Sequence, residues 1–234
     1  MTVTDVAPAL VVHELKLSTI DMLWLARGLI AATAADESYG VKYHAHLTAD
    51  QLGAVATSTD GFRVHQMTVA LTEPVDLVDV IVPREALMWA QKNARTFKPK
   101  KDALIEPVAI MQIAVPFEKR KQGHPGWVSV IFREWDDADA PSARFDAPLV
   151  QGEFPTMGAL IDRARDAEEA GPAPLALDFL ADARTLQTPH TQVPVIRYTA
   201  GREGRPGPAV LDFWEGSVLR ASALIQPTRT EEPE

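Results

Sequence analysis

One ordering of apolar periodicities, met twice in residues 9–151, constrains this fold more than any single motif: a strand, a helix, then several strands. Leu10 to Leu17 alternates with a period of two, as a half-buried strand does. Ser18 and Thr19 supply N-cap chemistry and Asp21 a first-turn carboxylate. Ile20, Leu23, Trp24, Arg27, Ile30 and Ala31 then recur at helical spacing to about Ala34. Alternating runs follow at 41–47, 52–58 and 62–71, the last two joined by Thr59-Asp60-Gly61, where Asp-Gly signals a tight hairpin. The order then repeats. Val78 to Val82 is a strand stopped by Pro83, and a helix spans about Arg84 to Phe97, with Leu87, Met88, Gln91 and Ala94 on one stripe. Strands are predicted at 104–114, 127–133 and 144–151, with a basic hairpin loop at 119–126. This is an internal βαβββ duplication.

Residues 154–234 read as a shorter version of the same unit. A helix is predicted from Thr156 to Ala167, a short strand at Leu175–Leu177, a second helix at Asp178–Leu186, and strands near 193–199, 208–214 and 217–226. The expected division is residues 9–152, residues 153–229 and an acidic tail at 230–234, with residues 1–8 frayed.

Composition narrows the function classes. The chain has 234 residues, 46% of them hydrophobic, enough for a sizeable core. It has no cysteine, which rules out disulfides and thiolate metal sites and fits a reducing cytoplasm. No apolar run approaches the roughly 18 residues of a membrane span, and the first residues lack signal-peptide character, so no membrane partner is expected. The formal net charge of -9 argues against indiscriminate nucleic-acid binding. Distribution matters more: acidic residues gather at 134–139, 166–169 and the tail, basic ones at 92–101 and 119–121. An acidic body can hold DNA where such basic patches converge.

Catalytic signatures are absent. There is no Gly-rich phosphate loop, no His-Glu-x-x-His and no nucleophile elbow, so neither enzyme activity nor a cofactor is expected. His44 and His46 alternate like metal ligands but have no third ligand nearby, and Glu134, Asp136, Asp137 and Asp139 read as a solvated acidic loop; no metal site is assigned.

Four segments stand in a suggestive order: Thr59-Asp60-Gly61-Phe62-Arg63-Val64, Val80-Ile81-Val82-Pro83-Arg84, Val150-Gln151-Gly152-Glu153-Phe154-Pro155, and Leu224-Ile225-Gln226-Pro227-Thr228-Arg229. Each alone has a plainer reading as a hairpin turn, a strand-to-helix boundary or an edge-strand ending. Together, from residue 10 to about Arg229, they resemble the bacterial DNA polymerase III beta sliding clamp family. The resemblance aligns residues 9–152 with that family's middle domain and 153–229 with a shortened last domain. It implies an α+β clamp fold, with repeated βαβββ units and helices on one face of curved antiparallel sheets. It also implies a processivity factor that encircles duplex DNA without reading its sequence and is set on DNA by a clamp loader. Such a factor tethers a DNA polymerase, and other proteins with short clamp-binding peptides, through one pocket. The chain length suits a homotrimeric ring, as in clamps of some tailed phages, acting in the cytoplasm at the nucleoid. The alternative is a clamp-derived adaptor or decoy that binds the same peptides without closing a ring.

Matched by motif, the family's pocket falls on Thr59, Gly61, Phe62, Arg63, Val64, Pro155, Ala159, Leu160, Leu224, Ile225, Gln226, Pro227, Thr228 and Arg229. Phe62 stands for a usual histidine, Ala159 for a frequent arginine, and Gln226 and Thr228 for two methionines. Arg63 and Arg229 are expected at the rim. The helices of a clamp line its hole, so Arg27, Lys92, Arg95, Lys98, Lys100, Lys101, Arg163, Arg165 and Arg184 are the DNA-facing candidates, with Arg84 a further helical one. Lys92 and Arg95 stand three apart and share a helix face. For any one of these residues, solubilising an exposed face is an equally good reading.

Overall fold

In the computed structural model, which describes residues 10–100, 106–116, 126–140, 142–201 and 205–228, the two halves of the duplication exchange their first strands. The first half is β1 (Leu10–Ser18), α1 (Thr19–Ala32), β2 (Ala45–Asp50), β3 (Gly53–Thr59) and β4 (Arg63–Val69). The second is β5 (Val78–Val82), α2 (Arg84–Asn93), β6 (Val108–Pro116), β7 (Trp127–Arg133) and β8 (Ser142–Pro148). β1 leaves its own half to pair with β6, building the sheet β1-β6-β7-β8, and β5 pairs with β2. Neither half is a closed unit, because each sheet needs a strand of the other.

The remaining residues extend the second sheet. They form α3 (Met157–Asp166), α4 (Leu177–Ala183), β9 (Ile196–Ala200), β10 (Pro206–Glu215) and β11 (Val218–Ile225). β11 pairs with β4 in antiparallel register, Ala221 opposite Met67 through Ile225 opposite Arg63. The sheet therefore runs β5-β2-β3-β4-β11-β10-β9. Antiparallel sheets packed with helices are the α+β architecture expected from the sequence, but the helices do not all share one face: α1 and α2 lie on the core side, and α3 lies on the opposite face of the second sheet.

Strand periodicity decides what each sheet face does. On β4, Met67 and Val69 point into the main core, as do Ala223 and Ile225 on β11; Val64 and Leu224 point the other way. The main core joins both sheets to α1 and α2 through residues such as Leu15, Met22, Leu25, Leu29, Leu87, Met111, Ile113, Val130 and Phe132, all buried. Trp89 stacks between Phe132 and Phe145, each ring centroid 5.7 Å away. Val64, Ile161, Ala164, Val210 and Leu224 form a second, smaller core under α3.

Two details show how tightly α1 lies on the sheet. A Cβ built on Gly28 would stand 2.4 Å from Met67 Sδ and 2.9 Å from Leu186 Cδ2. Beside it, His65 Nδ1–H donates to the Gly28 carbonyl at 2.7 Å, so its Nε2 carries no hydrogen and has no partner among the described residues. Burial pushes this imidazole down to about 4, against a partial opposing effect of the Gly28 bond.

Several local expectations are corrected. Residues 41–43, expected to open a strand, belong instead to a 3-10 segment at Glu37–Tyr43: the Asp36 side chain accepts from Ser38 N–H, and Gly40 takes φ 59, which breaks an extended run. Leu175–Leu177 is not a strand; α4 begins at Leu177, and its last turn is a 3-10 segment at Arg184–Leu186. α2 stops at Asn93, short of Phe97. β8 and β9 are each shifted by a few residues from their expected positions. The tail 230–234, residues 1–8 and the basic stretch 119–121 lie outside the described residues. Among the described residues, no helix is long and apolar enough to cross a membrane.

Gly28→Ala should destabilise the protein by about 1–3 kcal/mol, because the methyl must displace Met67 and Leu186 in a packed core; urea unfolding measures this. His65 supplies a pH signature. Its folded value lies below the ordinary 6.5, so the unfolded chain takes up a proton the folded one refuses. Stability should be full above pH 6.5, fall as pH drops towards 4 and level off below it, a loss on the order of 3 kcal/mol. Unfolding free energies of parent and His65→Gln across that range should show a flatter acid limb in the variant.

Candidate peptide-binding cleft

The tight turn between β3 and β4 is built by its own side chains. Asp60 Oδ1 accepts from the N–H groups of Phe62 and Arg63 at 2.8 and 3.0 Å. Thr59 Oγ1 accepts from Gly61 N–H and donates to the Arg63 carbonyl. Gly61 sits at φ 98, a conformation that side chains rarely take. Asp60 also holds the Arg63 guanidinium at 3.1 Å, and Asp182 of α4 takes its other end, while the guanidinium lies 4.5 Å over the Phe179 ring. One arginine thus ties the turn to α4. Across the seam, Gln226 N–H donates to the Phe62 carbonyl at 2.9 Å and fixes the chain that leaves β11.

These pieces enclose a cleft of about 210 Å³, lined by Lys42, Thr59, Gly61, Phe62, Arg63, Val64, Pro155, Met157, Leu160, Leu224 and Gln226. Val64 and Leu224 form its floor as cross-strand neighbours, and α3 supplies Met157 and Leu160. Phe62 is 62% exposed at its edge. An apolar floor with a few polar groups at the mouth suits one or two anchor side chains of an extended peptide.

Of the residues assigned to a pocket by sequence, Thr59, Gly61, Phe62, Arg63, Val64, Pro155, Leu160, Leu224 and Gln226 come together here. Ile225 does not: alternation turns it to the opposite face, where it is fully buried in the main core. Ala159, Pro227 and Thr228 do not line the cleft; Thr228 instead bonds the Pro174 carbonyl through its N–H and hydroxyl. Arg229 lies outside the described residues. Arg63 is not a free rim charge, since Asp60, Asp182 and Phe179 occupy its guanidinium. The cation at the mouth is Lys42, half-buried, with its Nζ 3.2 Å from where a Gly61 Cβ would stand. Sequence reading missed Lys42 and Met157. Lys42 falls in the 3-10 segment that alternates like a strand, and Met157 is the first residue of a helix whose orientation no local pattern reveals.

The basic candidates divide by exposure. Arg27 on α1, Lys92 on α2, and Arg95, Lys98 and Lys100 just beyond it are exposed; Lys101 lies outside the described residues. Glu85, Met88 and Lys92 form the solvent stripe of α2, opposite buried Ala86, Leu87 and Ala90, and exposed Arg95 follows just past its end. Arg163 and Arg184 are exposed, the former donating to the Ala159 carbonyl at 3.1 Å. Arg165 is committed elsewhere: it donates to Asp212 at 3.1 Å and to Ser222 on the sheet below α3. Arg84 donates to the Ala34 carbonyl at 2.7 Å and lies over the Tyr43 ring. His46 pairs with Asp79, and His44 Nδ1 accepts from Arg84 N–H. Among the described residues, no group of three or more His, Asp or Glu is placed to hold a metal ion.

This architecture is that of the bacterial DNA polymerase III beta sliding clamps. The sliding clamp of Bacillus subtilis superposes with a TM-score of 0.58 at 15% identity, over 94% of this chain and 65% of that one. The beta subunit of Thermotoga maritima gives 0.61 at 12% identity, over 98% and 69%. The Pseudomonas aeruginosa clamp, solved with griselimycin bound, also gives 0.61 at 12%, over 98% and 68%. The chain thus spans about two thirds of the length of these clamps. At these identities the likeness is one of fold. No protein-family model matches the chain, and no curated protein matches it in sequence.

Asp60→Ala removes two backbone bonds and one partner of a half-buried arginine. It should destabilise the protein by about 1–3 kcal/mol and raise hydrogen exchange at the Phe62 and Arg63 amides. Unchanged exchange there would mean that the turn does not depend on Asp60.

Proposed function

We propose that this protein is a sliding-clamp-like processivity factor that holds short peptides of a DNA polymerase and other replication proteins in the cleft at the β4–β11 seam. In this reading it assembles as a ring-shaped homotrimer around duplex DNA. The observation that carries the reading is the cleft itself. Residues of the 59–64 turn, the 155–160 segment and the end of β11 converge on one apolar floor inside a sliding-clamp fold. Encirclement would make weak, sequence-independent phosphate contacts sufficient, and exposed Arg27, Lys92, Arg95, Lys98 and Lys100 are the residues that would supply them. A clamp loader and action at the nucleoid belong to the same reading.

One observation favours the alternative, an adaptor that binds the same peptides without closing a ring. The outer edge of β9 already carries backbone bonds: Ala170 N–H donates to Tyr198 O, and Ala200 N–H to Glu168 O. An open sheet edge is where a neighbouring chain adds a strand, and here part of that edge is taken.

The test is titration of a labelled glutamine-leucine-rich peptide against the parent and Leu160→Asp, with light scattering on both. Leu160 is half-buried at the cleft, whereas Leu224 is part of the small core, so Leu160 is the cleaner probe. The variant should bind at least about tenfold more weakly, because docking would bury an unpaired charge. Its mass should stay that of the parent. Equal affinity in both proteins overturns the cleft assignment. A monomer at tens of micromolar selects the adaptor. Reversing Lys92, Arg95, Lys98, Lys100 and Lys101 to Glu should weaken duplex binding at low salt without unfolding; unchanged binding removes this face from consideration.

A further inference from the structure

The face of the seven-stranded sheet that carries the cleft also carries a larger groove. Cross-strand neighbours Asp79, Thr48 and Val55, and next to them Ile81, His46, Thr57 and Gln66, point to this face. The segment 149–158 passes over it on its way from β8 to α3, anchored where Val150 N–H donates to the Ile81 carbonyl and where Phe154 stacks on His46 at 5.2 Å. Between the sheet and this strap lies a groove of about 1040 Å³, roughly five times the cleft. Pro155 and Met157 line both, so the two form one path divided by the strap.

Their charges are opposite. Among the described residues, the cleft is lined by no carboxylate, and its free cation is Lys42, since the lining Arg63 is paired with Asp60 and Asp182. The groove is lined by Asp79 and Glu153 and, among the described residues, by no lysine or arginine. Asp79 is largely exposed and accepts from His46 through one oxygen only; Glu153 is exposed and has no ion pair among the described residues. Besides the His46 imidazole, the remaining lining is hydroxyl, amide and apolar, which suits an extended backbone more than a compact ligand.

We propose that the groove is a second contact for the same partner peptides and selects those whose anchor is flanked by lysine or arginine. This rests on the peptide-cleft reading above. The anchor residues fill the cleft, the chain crosses beside Pro155 and Met157, and the basic flank meets Asp79 and Glu153. The cleft alone would then accept many partners, and the groove would rank them by the charge next to the anchor.

Fluorescence anisotropy at low salt separates the possibilities. The probes are a labelled glutamine-leucine-rich peptide, the same peptide extended by Lys-Lys at either end, and its Glu-Glu counterparts. The proteins are the parent and the Asp79→Asn/Glu153→Gln double variant, in which the carboxamide oxygen at the first position still accepts from His46. One Lys-Lys peptide should bind the parent about three- to tenfold more tightly than its Glu-Glu counterpart, as exposed charge pairs do. The double variant should lose most of that preference and keep the parent's affinity for the unextended peptide. Equal binding of both flanks by the parent overturns the proposal. So does a preference that persists undiminished in the double variant, which would trace it to the overall charge of -9. If the unextended peptide fails to bind the parent, the cleft reading itself falls.

Discussion

The pairing of β4 with β11 is the contact on which the rest depends. Five residues of each strand lie in register, from Ala221 opposite Met67 to Ile225 opposite Arg63. Without it the last unit would be three strands and two short helices with little core of their own. With it, Ala221, Ala223 and Ile225 join the main core, while Leu224 meets Val64 on the opposite face. A slip of one residue would exchange these two sets, burying Leu224 under α1 and emptying the floor of the cleft. The seam therefore settles at once where the last unit sits and which of its side chains a ligand can reach.

The seam is locked by charge as well as by the ladder. Arg63 lies at its end, half-buried, and satisfies two carboxylates from different parts of the chain while covering an aromatic ring. Arg165 does the same on the other face, joining α3 to Asp212 and Ser222. Arg197 donates to the Ala164 and Ala167 carbonyls at the C-terminal end of α3, where helix carbonyls lack intrahelical partners. Three arginines thus act as struts, each indistinguishable in the sequence alone from an ordinary surface or ligand-facing charge. Among the described residues, the cations with no such structural duty include Lys42 at the cleft, Arg27, Arg184 and the group from Lys92 to Lys100.

Legibility in the sequence followed the range of the interaction. The βαβββ duplication, the Asp60-Gly61 turn and most strand positions depend on neighbours within a few residues, and period and turn chemistry expose them. The exchange of β1 and β5 between halves left no local trace, since a strand reads the same whichever sheet receives it. Residues 41–43 read as the start of a strand because Tyr43, Ala45 and Leu47 alternate, while Gly40 and the Asp36 cap, which decide the matter, sit before them.

The sequence by itself determined most of the element order, through alternation and capping, while the class of fold and the candidate cleft residues, drawn from separated segments, came from the resemblance of its ordered motifs to the sliding-clamp family. Only the tertiary structure decided that Leu224 and not Ile225 reaches the cleft, that Arg63 is bound internally while Lys42 stands at the mouth, and that an acidic groove lies across the strap from a basic cleft. Each of these turns on which sheet face or which distant carboxylate a side chain meets. That is fixed by strand register and by the packing of α3 and α4, contacts made across more than a hundred residues of chain.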